Sequence, residues 1–260
     1  MLQIQLGVEL ASLRLPFKKA LLVAHELGAQ AVEIDLRTEL RPEELSQTGV
    51  RQVRKMLDDL NLRVSAVSFR TRRGYQVLAD LEARIEATKR AMSLAHDLGT
   101  NVVVNSIGPV PAESDAASRS TMLMALTDIG RHGQRVGATL AAETGTESGA
   151  DLAEFISHLP PGTLGVDFNP ANLVVHGHSP TAAIRALAEH VLHIHANDAT
   201  RDLALGRGIQ VALGQGSAEF PELLGVLEEQ QYRGYITVSS RAGDDAIGAI
   251  RQGLEFLRNL

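Results

Sequence analysis

The chain has 260 residues, no cysteine, no tryptophan and a formal net charge of −6, with 44% hydrophobic and 22% charged residues. That apolar mass suits a packed core. It excludes a generally disordered chain, a disulfide scaffold, Cys-ligated zinc and a thiol nucleophile. The acidic balance argues against nucleic acid, no apolar run approaches the roughly 18 residues of a membrane span, and Met1-Leu2-Gln3-Ile4-Gln5 lacks the basic start and apolar core of a signal, so a soluble cytoplasmic protein is expected.

Along the chain, short β-branched runs alternate with long amphipathic stretches. The runs predict strands at 4–10, 31–36, 63–69, 101–107, 139–143, 164–168, 191–196 and 235–239. Apolar residues three and four apart predict helices at 17–27, 42–60, 78–98, 114–136, 151–158, 181–189, 220–230 and 244–260. Gly28 and Gly99 follow Leu27 and Leu98 where a helix would end left-handed, and Ser179-Pro180 reads as an N-cap followed by Pro at the first helical position. Eight such units predict an α/β fold, a single (β/α)₈ TIM barrel domain over residues 1–260. An open doubly wound sheet is the alternative. Its usual glycine-rich first turn is absent from Ala11-Ser12-Leu13-Arg14-Leu15-Pro16.

Polar residues recur on one parity near the C-terminal strand ends, where barrel enzymes build their sites. The second strand carries Glu33 and Asp35; the fourth ends at Asn105 and the fifth at Glu143. The sixth carries Asp167 and then Asn169, the seventh His193 and His195, and the eighth Thr237 and Ser239. Each alone reads equally as a buried, hydrogen-bonded core residue. Together they are costly to bury without a counter-charge. A divalent cation or a hydroxyl-rich substrate would resolve that cost, and oxygen and imidazole donors suit Mn²⁺, Mg²⁺, Co²⁺ or Zn²⁺.

Four stretches carry a family resemblance: Leu140-Ala141-Ala142-Glu143-Thr144-Gly145, Phe168-Asn169-Pro170-Ala171-Asn172-Leu173, His193-Ile194-His195-Ala196-Asn197-Asp198 and Gly234-Tyr235-Ile236-Thr237-Val238-Ser239. With Leu6-Gly7-Val8, the segment from Glu44 to Gly49 and the closing run from Arg251 to Leu257, the chain resembles the xylose isomerase-like TIM barrels over nearly its whole length. These are usually named sugar phosphate isomerase/epimerases and include the tagatose 3-epimerase type. The resemblance implies a metal held by Glu, Asp, His and Glu from strands five to eight. The two Glu residues would double as the acid/base pair moving a proton next to a carbonyl. It places the catalytic Glu on Glu143 and the ligand His on His195. The usual Phe-Asp-Pro-Ala-Asn reads with Asn169 at the Asp position, and Asp167 lies two residues earlier on the same face. The strand-eight Glu is Ser239, and the usual Lys after strand seven is Asn197.

The candidate metal set is therefore Glu143, Asp167, Asn169, His195 and Ser239, with two carboxylates fewer than the family pattern. A divalent metal is expected to be weakly held or absent. Candidate substrate contacts are Asn105, Asn172, His193, Asn197, Arg70 and Arg241. The segment Ser239-Ser240-Arg241-Ala242-Gly243-Asp244 reads first as an ordinary turn with a capped helix and second as a phosphate cradle, helped by backbone N–H groups of Leu213-Gly214-Gln215-Gly216-Ser217. Arg70, Arg72 and Arg73 form a second basic cluster, read equally as a solvated loop. His176-Gly177-His178 is read as a surface loop.

Function is thus expected to be that of a sugar or sugar-phosphate isomerase/epimerase with a degenerate metal site. The alternative is a catalytically inactive barrel that binds a polyol, a sugar acid or a partner protein. The endonuclease IV branch of the superfamily is disfavoured by Phe69 and Asn105-Ser106 at the ends of strands three and four. The expected partner is a small sugar or sugar phosphate, with no nucleic acid and no membrane, and a homo-oligomer is compatible.

Overall fold

Each β-branched run becomes a strand because its inward and outward residues meet different neighbours: one side packs in the barrel, the other beneath the helices. The structure, a computed structural model, describes residues 4–201, 207–241 and 243–260. Met1, Leu2, Gln3 and Ala242, named above, lie outside the described residues. The barrel strands are β1 (Gln5–Glu9), β2 (Ala31–Asp35), β3 (Arg63–Ser68), β4 (Val102–Asn105), β5 (Thr139–Glu143), β6 (Leu164–Phe168), β7 (Val191–Ala196) and β10 (Tyr235–Val238). They close in the order β1-β10-β7-β6-β5-β4-β3-β2, every pairing parallel. This is the expected (β/α)₈ barrel, with β10 as its eighth strand.

The outer layer is α1 (Phe17–Glu26), α2 (Gln47–Asp59), α3 (Leu81–Leu98), α4 (Ala116–Val136), α5 (Gly149–Ser157), α7 (Pro180–Leu187), α8 (Phe220–Glu229) and α9 (Ala246–Arg258). Outward strand residues such as Val8, Ile34, Val67 and Leu140 are buried beneath them. Among the described residues, no helix is long and apolar enough to cross a membrane.

The second helix begins five residues later than its apolar spacing suggests. Ser46 caps it by accepting the Gly49 N–H, which fixes the first turn at Gln47. Two elements were not expected. One is α6 (Pro170–His176), capped by Asn169 with Pro at its first position. The other is an antiparallel hairpin of β8 (Asp198–Arg201) and β9 (Gly208–Val211). Both follow C-terminal strand ends and build walls around the mouth. The register shifts at Val32/Glu33 and at Val166/Asp167, so an irregularity falls beside each of two buried carboxylates. Bulges of this kind re-aim side chains at sites.

Candidate active site

The sequence places alternating polar residues at the strand ends, and closure of the barrel brings them onto one axis in two layers. The buried layer is Glu33 from β2, Asp167 from β6, and His193 and His195 from β7, all at most 1% exposed. Asp167 bridges both imidazoles: Oδ1 accepts from His193 Nδ1 at 2.8 Å and Oδ2 from His195 Nδ1 at 2.7 Å. His193 Nε2 lies 2.7 Å from the Thr237 hydroxyl. His195 Nε2 lies 2.7 Å from Glu33 Oε2.

An ionised carboxylate only accepts, so His195 needs a proton on each nitrogen to face two of them. Burial opposes that charge, but Asp167 and Glu33 outweigh it and hold the imidazole pKa well above its usual value. In return, although burial pushes Glu33 up, His195 brings its carboxyl down to about 2. Asp167 is likewise held below the carboxylate range against its burial, by His195 and His193. The ion pair is close but poorly aligned: both Glu33 oxygens and His195 Nε2 lack a hydrogen-bond partner.

The mouth layer is Glu9 from β1, Arg70 just after β3, Glu143 from β5 and Asn169 just after β6. Arg70 grips Glu143 in a bidentate pair, Nε to Oε2 at 3.0 Å and Nη2 to Oε1 at 3.1 Å. Its Nη1 lies 3.7 Å from Glu9 Oε1. Burial would lower the guanidinium pKa, but Glu143, Glu33 and Glu9 keep it well above normal. Asn169 donates its amide N–H to Glu143 Oε1 at 3.0 Å. Its Oδ1 accepts the Asn172 N–H at the head of α6, which fixes the amide orientation. Ser12 donates its hydroxyl to the other oxygen of Glu9.

Above this layer opens a cavity of about 530 Å³, lined by Glu9, Arg70, Glu143, Asn169, His195, Asn197, Ser239 and Arg241 among others. Its surface is rich in charged, amide and hydroxyl groups, which suits a hydroxylated small molecule. Asn172 also lines it, and the hairpin contributes Gln210. Asn197 joins two walls, accepting the Ala171 N–H and donating to the Ser239 hydroxyl.

The sequence-predicted residues therefore separate. Glu143, Asn169, His195, Ser239, Asn172, Asn197, Arg70 and Arg241 line the cavity. Asp167 and His193 lie beneath it, at 0% exposure. Asn105 is buried away from the cavity and donates its amide to the Phe69 carbonyl, tying β4 to the end of β3. Arg70 is occupied by Glu143, so it is less free for a substrate than its sequence position suggested. Arg72 and Arg73 are exposed.

In the segment read as a possible phosphate cradle, three backbone N–H groups already have partners within the protein. The N–H groups of Ser239, Ser240 and Arg241 go to the Ala196 carbonyl, Ser12 Oγ and Gln210 Oε1. In the preceding loop, the Gly214 and Gly216 N–H groups both go to Asp198 Oδ2. That carboxylate also takes the N–H groups of Ala199 and Ala218. His176 ends α6 and its Nδ1 bonds the Asn172 carbonyl, while His178 contacts the Thr146 carbonyl.

Sequence reasoning missed Glu9 and did not carry Glu33 into the site. The parity signal was present for both, since each alternates with outward apolar residues in its strand.

Among the described residues, two sets have ligand atoms within 4.8 Å of one another: Glu33, His193 and His195, and Glu143, Asp167 and His195. The second set does not fit a divalent ion. Arg70 and Asn169 occupy Glu143, Asp167 is shared by two imidazoles, and Asn169 turns a donor rather than an acceptor toward Glu143. In the first set both Glu33 oxygens lack a hydrogen-bond partner, but His195 would have to lose its Nε2 proton, and His193 its bond to Thr237, to ligate a cation.

A family model described as xylose isomerase-like TIM barrel matches residues 21–260. Among curated proteins no relative is found. Among solved structures, a xylose isomerase domain protein from Planctomyces limnophilus is 26% identical, with TM-score 0.83 and coverage of 92% of this chain and 91% of that one. A xylose isomerase-like TIM barrel protein from Mycobacterium smegmatis, in complex with magnesium, is 17% identical (TM-score 0.78, coverage 100% and 96%). A D-psicose 3-epimerase in the presence of D-fructose is 14% identical (TM-score 0.78, coverage 98% and 99%).

Proposed function

The chain belongs to the xylose isomerase-like TIM barrel family, and from that premise we propose that it is a sugar or sugar-phosphate isomerase or epimerase working at the barrel mouth without a metal bound to Glu143. The observation that carries this reading is the Arg70 guanidinium, fixed on Glu143 at the floor of a polar cavity. Isomerisation and epimerisation both remove a proton from a carbon next to a carbonyl. Negative charge then develops on the carbonyl oxygen, and a preorganised cation nearby stabilises it. Glu143 is the base, and Arg70 supplies the positive charge. Asn172, Asn197, Ser239 and Gln210 offer hydrogen bonds to sugar hydroxyls, and Arg241 offers a charge to an acidic or phosphorylated end. His195 reaches the floor of the cavity, its charge matched beneath by the Glu33 and Asp167 carboxylates.

The test is proton transfer on ketoses and their phosphates, followed by NMR with excess chelator present. Conversion should persist under chelation, and Arg70→Met should lower it by at least about 100-fold, the scale of losing one transition-state donor. Conversion that requires added Mn²⁺ and survives Arg70→Met would overturn this reading.

One observation favours a second reading, a barrel that binds a sugar or sugar acid without turning it over. Both Glu143 oxygens are already hydrogen-bonded, by Arg70 and by Asn169. Saturable binding of a ketose with no exchange of its carbon-bound protons would establish it.

A further inference from the structure

We propose that Glu9 is a second proton-transfer carboxylate of this site, working across Arg70 from Glu143; the inference rests on the isomerase/epimerase reading above. Glu9 ends β1 and Glu143 ends β5, on opposite sides of the closed barrel. Both line the one cavity, and both are within 4 Å of the same guanidinium. The pairing of Val8 with Val238 places Glu9 beside Ser239 at the next position. Ser239 also lines the cavity, so Glu9 stands at the height of the mouth and not beneath it.

The two carboxylates are held differently. Glu143 accepts two guanidinium N–H groups and one amide N–H, which fix it as an ionised acceptor. Glu9 accepts the Ser12 hydroxyl on one oxygen, while its other oxygen stands 3.7 Å from Arg70, beyond hydrogen-bonding distance. Three donors therefore hold Glu143, while a single hydroxyl holds Glu9. Ser12 in turn accepts the Ser240 N–H, so the group that orients Glu9 is itself fixed.

The chemistry follows from that asymmetry. The Glu143 carboxylate takes a proton from the carbon beside the carbonyl. The C–H electron pair becomes the C=C bond of an enediolate, and the carbonyl π pair moves to its oxygen, next to Arg70. Glu9, having taken a proton from solvent, gives it to the same carbon from the opposite face, and the carbonyl re-forms. Glu9 ends ionised and Glu143 protonated; exchange with solvent restores both. No oxidant, reductant or bound ion is required. Two bases on opposite faces are what inversion at one carbon needs.

The experiment incubates the full chain in D₂O with D-fructose, D-tagatose and their 6-phosphates, reading deuterium uptake beside the carbonyl and epimer formation separately by NMR. The wild type should do both. Glu9→Gln should lose epimer formation by at least about 100-fold while keeping deuterium uptake within about tenfold, because Glu143 still removes the proton. Glu143→Gln should lose both. If Glu9→Gln does not fold, Ser12→Ala, which frees Glu9 from its hydroxyl, should slow epimer formation several-fold more than uptake. Equal epimer formation by wild type and Glu9→Gln, or unchanged epimer formation in Ser12→Ala where Glu9→Gln is unfolded, would overturn the role of Glu9 and leave the isomerase reading intact. No uptake by the wild type from any of the four sugars would overturn both.

Discussion

The mouth layer and the buried layer beneath it use the same kinds of group for opposite ends. In the buried layer, His195 lies between Glu33 and Asp167, and no member is more than 1% exposed. In the mouth layer, Arg70 lies between Glu143 and Glu9 with a quarter of its side chain exposed. Burial raises the cost of every unpaired charge, so the lower layer acts as a strut whose loss threatens the fold. Access to solvent lowers that cost, so the upper layer can change partners when a ligand enters. Two residues apart, Asp167 on β6 belongs to this foundation and Asn169 just after it to the cavity surface.

The largest expected effect breaks this contrast from below. Asp167→Asn leaves one imidazole N–H facing an amide N–H and strands the charge of His195 against Glu33 alone. Denaturant unfolding should show a loss of about 3–5 kcal/mol, the usual result of breaking a buried pair. A loss under about 1 kcal/mol would mean that the strut is not carrying the barrel. Metal uptake sharpens the contrast at intermediate size. Zn²⁺ taken up by the wild type should weaken at least tenfold in Glu33→Gln and less than threefold in Glu143→Gln, measured by calorimetry. The opposite order would put the ion at the mouth.

The smallest effect is a pH response. Burial pushes the Glu39 carboxyl up to about 7, with Asp35, Glu33 and Glu9 adding to it against a hydrogen bond from the Asp35 N–H. The folded state therefore keeps a proton between about pH 4.5 and 7 that the unfolded chain has lost. Stability from this group is complete below about 4.5 and declines as pH rises to 7, by roughly 1–2 kcal/mol after allowing for solvent. Thermal unfolding of Glu39→Gln should lack that part of the decline. Identical slopes for the two proteins would remove Glu39 as a sensor of both layers.

The barrel was legible because its elements announce themselves locally, by short apolar runs followed by amphipathic stretches, several of them begun by a side-chain cap. Asp167, His193 and His195 were legible as an inward set for the same reason. The rest depended on contacts between distant segments. Nothing in the loop after β3 marks Arg70 as the partner of Glu143, 73 residues away. Hydroxyls, Arg and Gly in a loop do not reveal whether their N–H groups are free, so the sequence could not separate a phosphate cradle from an ordinary turn. Here a buried Asp198 and the side chains of Ser12 and Gln210 take them. The hairpin at 198–211 joins no barrel strand, so the eight-unit repeat gave no sign of it.

Asn169 has one oxygen on the head of α6 and its nitrogen on Glu143. That double attachment makes one small side chain answer to two walls at once. Asn169→Asp keeps the helix cap but turns an acceptor against Glu143, so two carboxylates would then compete for the guanidinium that now serves one of them closely.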